Sequence, residues 1–203
     1  MQDERFDMRH ILAMALAVVL AAGIAGAQDY AAGNSEYEKG NYAAAMKEWR
    51  PLAEKGDPFA QVSVGLLYYN GKGAPQDYAE AVHWYRRAAE AGFALGQYSL
   101  GYAYSRGEGV SEDNSEAVRW YRGAALQGLI EAQFNLGVLY AQGKGIPENK
   151  IAAHAWFNIV CARDIEMGCD TRDVIAETMR PSDIASAQQL ARACMESDYK
   201  DCE

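Results

Sequence analysis

The residues best suited to chemistry crowd toward one end of this 203-residue chain. Cys161, Cys169, Cys194 and Cys202 all lie within the last 43 residues, and both sequential pairs are eight residues apart. Catalytic dithiols usually occupy C-x-x-C, which lowers the pKa of the attacking thiol; that spacing does not occur here. An even cysteine count points to disulfides wherever a chain reaches an oxidising compartment, and four cysteines allow three pairings. Structural stapling, not redox catalysis, is therefore expected of all four. Nearby, Ser197-Asp198-Tyr199-Lys200 matches S-x-x-K, the nucleophile motif of penicillin-recognising enzymes. It lacks S-D-N and K-T-G partners and sits where no buried, oriented base is expected.

Other chemistry is thinner still. His83 and His154 are followed four residues on by Arg87 and Asn158, so neither opens a helical metal pair. G-x-S-x-G and H-E-x-x-H are absent. Gly71-Lys72-Gly73 and Gly143-Lys144-Gly145 suggest phosphate loops, but Gly107-Glu108-Gly109 takes the same place and none joins a strand to a helix. No catalytic residue, metal ligand or cofactor is expected. One column does invite a binding role: Arg50, Arg86 and Arg122 recur every 36 residues, with Asn158 next. Guanidinium forks pair bidentately with carboxylates. These four residues are thus a candidate groove for an acidic or carboxylate-bearing peptide. The competing reading pairs the arginines with glutamates such as Glu80, Glu116 and Glu90 and leaves them only to solubilise a face.

The elements that must carry this column repeat with it. Residues 79–114 laid over 115–150 are identical at 16 of 36 positions without a gap. Residues 43–78 share the register, and a degenerate fourth copy covers 151–180. The columns are Trp84, Trp120 and Trp156; Trp49, Tyr85, Tyr121 and Phe157; Gly56, Gly92 and Gly128; Gln61, Gln97 and Gln133; Gly65, Gly101 and Gly137; Tyr68, Tyr104 and Tyr140. Ala81, Trp84, Tyr85, Ala88 and Ala89 form one apolar helical stripe, which Gly92 ends. Gln97, Leu100, Gly101 and Tyr104 form a second. Gly101 inside a helix costs about 1 kcal/mol against alanine, and its recurrence implies close approach by a partner helix. Each copy is a two-helix hairpin with two apolar faces, which only stacked neighbours can bury. The tryptophan column is expected to pack between repeats, each ring contributing roughly 2–3 kcal/mol. A capping helix is expected over 29–40 and closing helices over 172–179 and 182–195, separated at Pro181.

The first 27 residues read as an export signal. Met8-Arg9-His10 precedes the apolar run Ile11–Ala22, and Ala25-Gly26-Ala27 gives an A-x-A site for cleavage after Ala27. Twelve apolar residues fall short of the roughly 20 needed to span a bilayer. Asp3, Glu4 and Asp7 are unusual in an n-region, which leaves Met8 as an alternative start to Met1. The remainder, 28–203, is one domain of 17 basic and 25 acidic groups, net −8. An acidic chain without a basic cluster is no nucleic-acid binder, and without a second long apolar run it has no stable membrane insertion.

The pattern A-x-x-W-Y-x-x-A-A-x-x-G, then A-Q-x-x-L-G-x-x-Y-x-x-G-x-G-V/I-x-x-D/N, resembles the Sel1-like repeat, a relative of the tetratricopeptide repeat. Ala81–Gly92 and Ala132–Asn149 carry it best, and the likeness covers about 43–163. Arg172-Asp173, Met179-Arg180-Pro181, Ile184, Ala187-Gln188 and Leu190-Ala191-Arg192 resemble the tail of exported bacterial Sel1 proteins. The chain departs from the pattern at Glu48, in the tryptophan column, and at Asp164, in the turn-glycine column, so an irregular fourth hairpin is expected. The resemblance implies an all-α, right-handed α-solenoid of hairpins with a disulfide-stapled C-terminal cap. It also implies a within-hairpin bridge, Cys161–Cys169, like that of cysteine-rich Sel1 proteins, which leaves Cys194 for Cys202. In tetratricopeptide-like stacks the first helices line the concave groove, which would set the arginine rungs about 10 Å apart. The function implied is a non-catalytic periplasmic or secreted scaffold that binds another protein or a peptide. Alternatives are a β-lactam- or peptidoglycan-interacting hydrolase and a structural peptidoglycan binder.

Overall fold

The computed structural model describes residues 27–200 and 202. The expected export signal lies outside them except for Ala27, which opens the first helix. Ten helices make up the regular structure of the described residues: α1 Ala27–Glu38, α2 Tyr42–Glu54, α3 Pro58–Asn70, α4 Tyr78–Glu90, α5 Ala94–Arg106, α6 Asn114–Ala125, α7 Ile130–Gln142, α8 Lys150–Cys161, α9 Glu166–Ala176 and α10 Pro181–Glu196. Pairs α2–α3, α4–α5, α6–α7 and α8–α9 are four helix hairpins of an all-α fold.

Local chemistry explains where these helices start and stop. The Asp57, Asp77, Asp113 and Asn149 side chains accept hydrogen bonds from N–H groups in the following helical turn, at 2.7–3.1 Å. Each satisfies donors that a helix start leaves orphaned. Pro58 and Pro181 occupy the first turn, where no N–H is missed. Gly71 and Gly143 close their helices in the left-handed conformation. The last helix of the fourth hairpin starts at Glu166, six residues before the helix expected over 172–179. Asp164 is the reason: with φ +60° it adopts the left-handed turn that Gly56, Gly92 and Gly128 adopt in their column. Aspartate tolerates that conformation because its short polar side chain bonds locally. The turn of hairpin four is therefore kept without its glycine.

The chain divides within α5 into two compact units, one holding residues up to Ser99 with Glu108–Val110, the other Leu100–Gly107 with everything from Ser111. In the first, Trp49 is fully buried; it stacks on Tyr30 at 5.6 Å between ring centres and donates its indole N–H to the Tyr30 carbonyl at 3.1 Å. Gly33 of α1 lies under that indole, and Gly65 of α3 lies under Tyr85 of α4. The second unit repeats the arrangement, with Gly101 under Tyr121 and Gly137 under Phe157. A β-carbon on Gly65, Gly101 or Gly137 would stand 2.5–2.9 Å from the ring, closer than packed atoms allow. These mid-helix glycines make room for an aromatic ring of the next hairpin and, as the sequence suggested, for partner backbone: the Ala81 and Ala117 carbonyl oxygens lie 3.2 and 3.3 Å from where β-carbons on Gly65 and Gly101 would stand.

The Gly-x-Gly loops also have a spatial role. Gly73, Gly109 and Gly145 have φ from +69° to +77° and press on the backbone carbonyls of Tyr42, Tyr78 and Asn114, at the starts of α2, α4 and α6. The second glycine of each loop thus returns to the head of its own hairpin. A side chain there would be strained in backbone and blocked in space.

Candidate functional site

The first helix of each hairpin buries its alanine and aromatic stripe and leaves the arginine column at the edge of that stripe. Arg50 of α2 donates from Nη1 to the Tyr68 hydroxyl at 3.2 Å and from Nε to Glu54 at 3.2 Å. Both contacts hold its guanidinium more firmly protonated, Glu54 first and Tyr68 second. Arg122 of α6 donates from Nη2 to the Tyr140 hydroxyl at 2.9 Å. In both cases the tyrosine stands 18 residues after its arginine, on the second helix of the same hairpin. Arg86 is half-buried at the matching position of α4. The Arg–Tyr coupling was missed from sequence although both columns were visible; the signal was their constant offset.

Two of the glutamates weighed against this column serve the tryptophans. Glu80 accepts from Trp84 Nε1 and Glu116 from Trp120 Nε1, each at 3.0 Å and one helical turn apart. Arg87 stacks over Trp84 and Arg119 over Trp120, with the guanidinium carbon 4.9 and 4.1 Å from the ring centre. Trp84, Trp120 and Trp156 are 3%, 8% and 1% exposed, so the ladder packs in the interior.

At the fourth rung the chemistry changes hands. Asn158 replaces the arginine and Ala176 the tyrosine. The guanidinium now comes from the second helix: Arg172 Nη1 donates to Asn158 Oδ1 at 3.3 Å. The same Nη1 lies 3.2 Å from Cys161 Sγ, while Nε and Nη2 grip Asp173 at 2.8 and 2.7 Å. Cys161 and Cys169 are joined by a disulfide, as are Cys194 and Cys202. The first bridge stands in for a hydrogen bond. In hairpins one and three, Gln61 and Gln133 donate to the carbonyls of Ala53 and Ala125, each eight residues back, at 3.1 Å. Cys169 occupies that glutamine column and Cys161 that alanine column.

The second bridge fixes the tail. Cys194 and Cys202 are 0% and 3% exposed. Between them the chain reverses through Asp198 and Tyr199, both with positive φ. Tyr199 meets the Arg163 guanidinium through its hydroxyl and its ring and rests near Gly128. The Ser197 hydroxyl donates to the Cys194 carbonyl at 3.0 Å, closing α10, and Lys200 is exposed. The S-x-x-K segment is thus a helix end held by the tail staple.

His154 is 2% exposed on α8, in a column that holds Val82 and Val118. Its Nδ1, like Trp156 Nε1, finds no hydrogen-bond partner among the described residues. Burial holds the imidazole below its ordinary pKa, Arg172 acts in the same direction, and Asp173 opposes them. His83 is exposed beside Trp84.

Known proteins resemble this chain in its repeat and its fold. The Sel1 repeat model matches residues 58–93, 94–129 and 130–163, just over half of the chain. Its windows open on second helices and keep the 36-residue period. A Sel1 repeat protein from Oxalobacter formigenes is similar with TM-score 0.69 and 27% identity, over 85% of this chain and 70% of that one. A protective antigen present in uropathogenic Escherichia coli strains, displaying an SLR fold, is similar with TM-score 0.58 and 25% identity. That match covers 77% of this chain and 42% of the antigen, so the chain spans less than half of that protein. No curated protein matches. Three consecutive repeat matches and four hairpins built around one glycine–aromatic contact lead to one assignment: this chain belongs to the Sel1 repeat family.

Proposed function

We propose that the chain is a non-catalytic scaffold of the periplasm or extracellular space, which binds a carboxylate-rich segment of another protein along the first-helix arginines. Sel1 repeats in general mediate protein interactions, and two disulfides fit an oxidising, non-cytoplasmic compartment. No described helix is long and apolar enough to cross a membrane. The observation that carries the reading is the recurring guanidinium–phenol contact, Arg50 to Tyr68 and, two periods later, Arg122 to Tyr140. A phenol orients a guanidinium and leaves its formal charge in place. Pre-orienting a long side chain lowers the entropy cost of using it in binding. In the fourth hairpin, where Asn158 stands in the arginine column, Asn158 accepts from the Arg172 guanidinium of the second helix.

The test is binding of fluorescent acidic peptides to the purified chain at low and moderate salt. Arg50→Ala with Arg122→Ala is expected to weaken binding by roughly tenfold or more, as loss of charge-assisted hydrogen bonds does, with the melting temperature unchanged. Tyr68→Phe with Tyr140→Phe, which removes only the orienting hydroxyls, is expected to weaken it less. Equal affinity for acidic and basic peptides, or for the double arginine variant and the parent, would sink the proposal.

A further inference from the structure

We propose that Cys169 is a thiol-exchange site: an external thiol attacks its sulfur, and Cys161 departs as a thiolate stabilised by Arg172. The two sulfurs of this bridge sit in unlike surroundings. Arg172 Nη1 is 3.2 Å from Cys161 Sγ, and the guanidinium is pinned there by Asn158 and by both contacts to Asp173. Asp173 is 67% exposed, so water screens its charge more than that of Arg172, which is 27% exposed. Cys169 Sγ has instead the Cys161 carbonyl oxygen at 3.8 Å, a neighbour that disfavours negative charge. A cation beside a sulfur lowers the thiol pKa, and the lower-pKa thiol is the better leaving group. Attack on Cys169 is therefore the favoured direction.

Access separates this bridge from the other. Cys161 and Cys169 are half-buried, whereas Cys194 and Cys202 are buried. In the exchange, the attacking thiolate forms a new S–S bond to Cys169 and the old bonding pair leaves on Cys161 as a thiolate beside Arg172, while the proton that the attacking thiol lost stays with the solvent. The external sulfur is oxidised and Cys161 reduced. A second external thiolate can then displace the first from Cys169, leaving a dithiol in the protein and a disulfide outside it. The element set free is α9. Gly168 is its one fully buried residue, and Met167 and Val174 are 40% and 65% exposed.

The experiment uses the full oxidised chain and millimolar reduced glutathione near neutral pH, with acid quench, alkylation and mass mapping of each cysteine. Cys161–Cys169 is expected to open at least about tenfold faster than Cys194–Cys202, with glutathione on Cys169 and the alkyl tag on Cys161. Arg172→Gln is expected to slow the opening roughly threefold or more. That variant could also loosen α9 and hide the effect, so a second readout isolates the charge. In a Cys169→Ser chain, the pH dependence of Cys161 alkylation is expected to move to higher pH when Arg172→Gln is added. Equal opening of the two bridges, glutathione on Cys161, or an unmoved alkylation profile would each overturn the proposal.

Discussion

Hairpins three (α6–α7) and four (α8–α9) start 36 residues apart, and their helices open at matching places. Their interiors differ. α7 buries Ala132, Gln133, Leu136, Gly137, Leu139 and Tyr140, whereas in α9 only Gly168 is fully buried. Column by column, Leu136 becomes Arg172, Gly137 becomes Asp173, Tyr140 becomes Ala176, and Gln133 becomes Cys169. The glycine is the residue that seats the ring of the next hairpin, and Asp173 in its column, paired with Arg172, seats none. Giving up one buried leucine forgoes about 1.5–3 kcal/mol, and an eight-residue disulfide loop returns about 2–3 kcal/mol. The comparison teaches that a repeat backbone outlasts its repeated side chains when a covalent bond replaces the missing burial. The contrast between the two hairpins can be broken at several points.

The largest difference is expected between aromatic and apolar truncations. Trp120→Ala removes a ring that is 8% exposed and should cost about 3–5 kcal/mol. Val174→Ala, on the 65% exposed face of α9, should stay within about 0.5 kcal/mol. Thermal unfolding measures both, at about 2–4 °C per kcal/mol for a chain of this size. Equal losses would mean that the Val174 face of α9 is buried in solution.

Next comes the glycine column. Gly137→Val forces a branched side chain into Phe157, whose ring lies 2.8 Å from where a β-carbon would stand. Overpacking of this kind costs about 1–3 kcal/mol even after the helix-propensity gain over glycine. Asp173→Val, one period later, meets no such ring and should be far milder, its effect limited to releasing Arg172. If both unfold alike by urea titration, the glycine–aromatic contact is not what the fourth hairpin has lost.

The staple can be exchanged for the bond it replaces. Cys161→Ala with Cys169→Ala should destabilise the chain by about 2–3 kcal/mol under oxidising conditions. Cys161→Ala with Cys169→Gln recreates the glutamine–carbonyl pair of hairpins one and three, and should recover about 1 kcal/mol of that loss. No recovery in urea unfolding would show that the α8 carbonyl is out of reach of a glutamine.

Much of this contrast was legible from residues alone, and the rest was hidden for physical reasons. The period, the helix pairs and the tryptophan interior follow from columns of large apolar residues, because burial acts on composition at fixed spacing. Asp164 looked like a defect because its column holds glycines; left-handed backbone is also open to aspartate, and that choice depends on the closing turn. The arginine column was visible, but its partners were not, since hydrogen bonds between helices depend on side-chain geometry that period does not encode. Likewise the sequence places Arg172 only in a family-like tail and at the start of an expected helix, and its meeting with Asn158 and Cys161 follows from where α9 carries it.

The smallest effect at neutral pH concerns His154, which stands where hairpins two and three have valine. Burial, reinforced by Arg172, holds its pKa below the ordinary 6.5. The folded chain therefore binds fewer protons than the unfolded chain once the pH drops below about 6.5, and stability falls as the pH falls toward the depressed folded value. Well above 6.5 the imidazole is neutral in both states and contributes no pH dependence. His154→Val should match the parent near pH 7.5 and melt higher than it near pH 5, a gap that closes again as the pH is raised. Measured as the difference between the two variants, the slope isolates this one imidazole from the carboxylates that titrate over the same range. A parent and variant that lose stability in parallel from pH 7.5 to 5 would mean that His154 is solvated enough to be protonated without cost. Hairpin four would then be open to water at α8 as well as at α9.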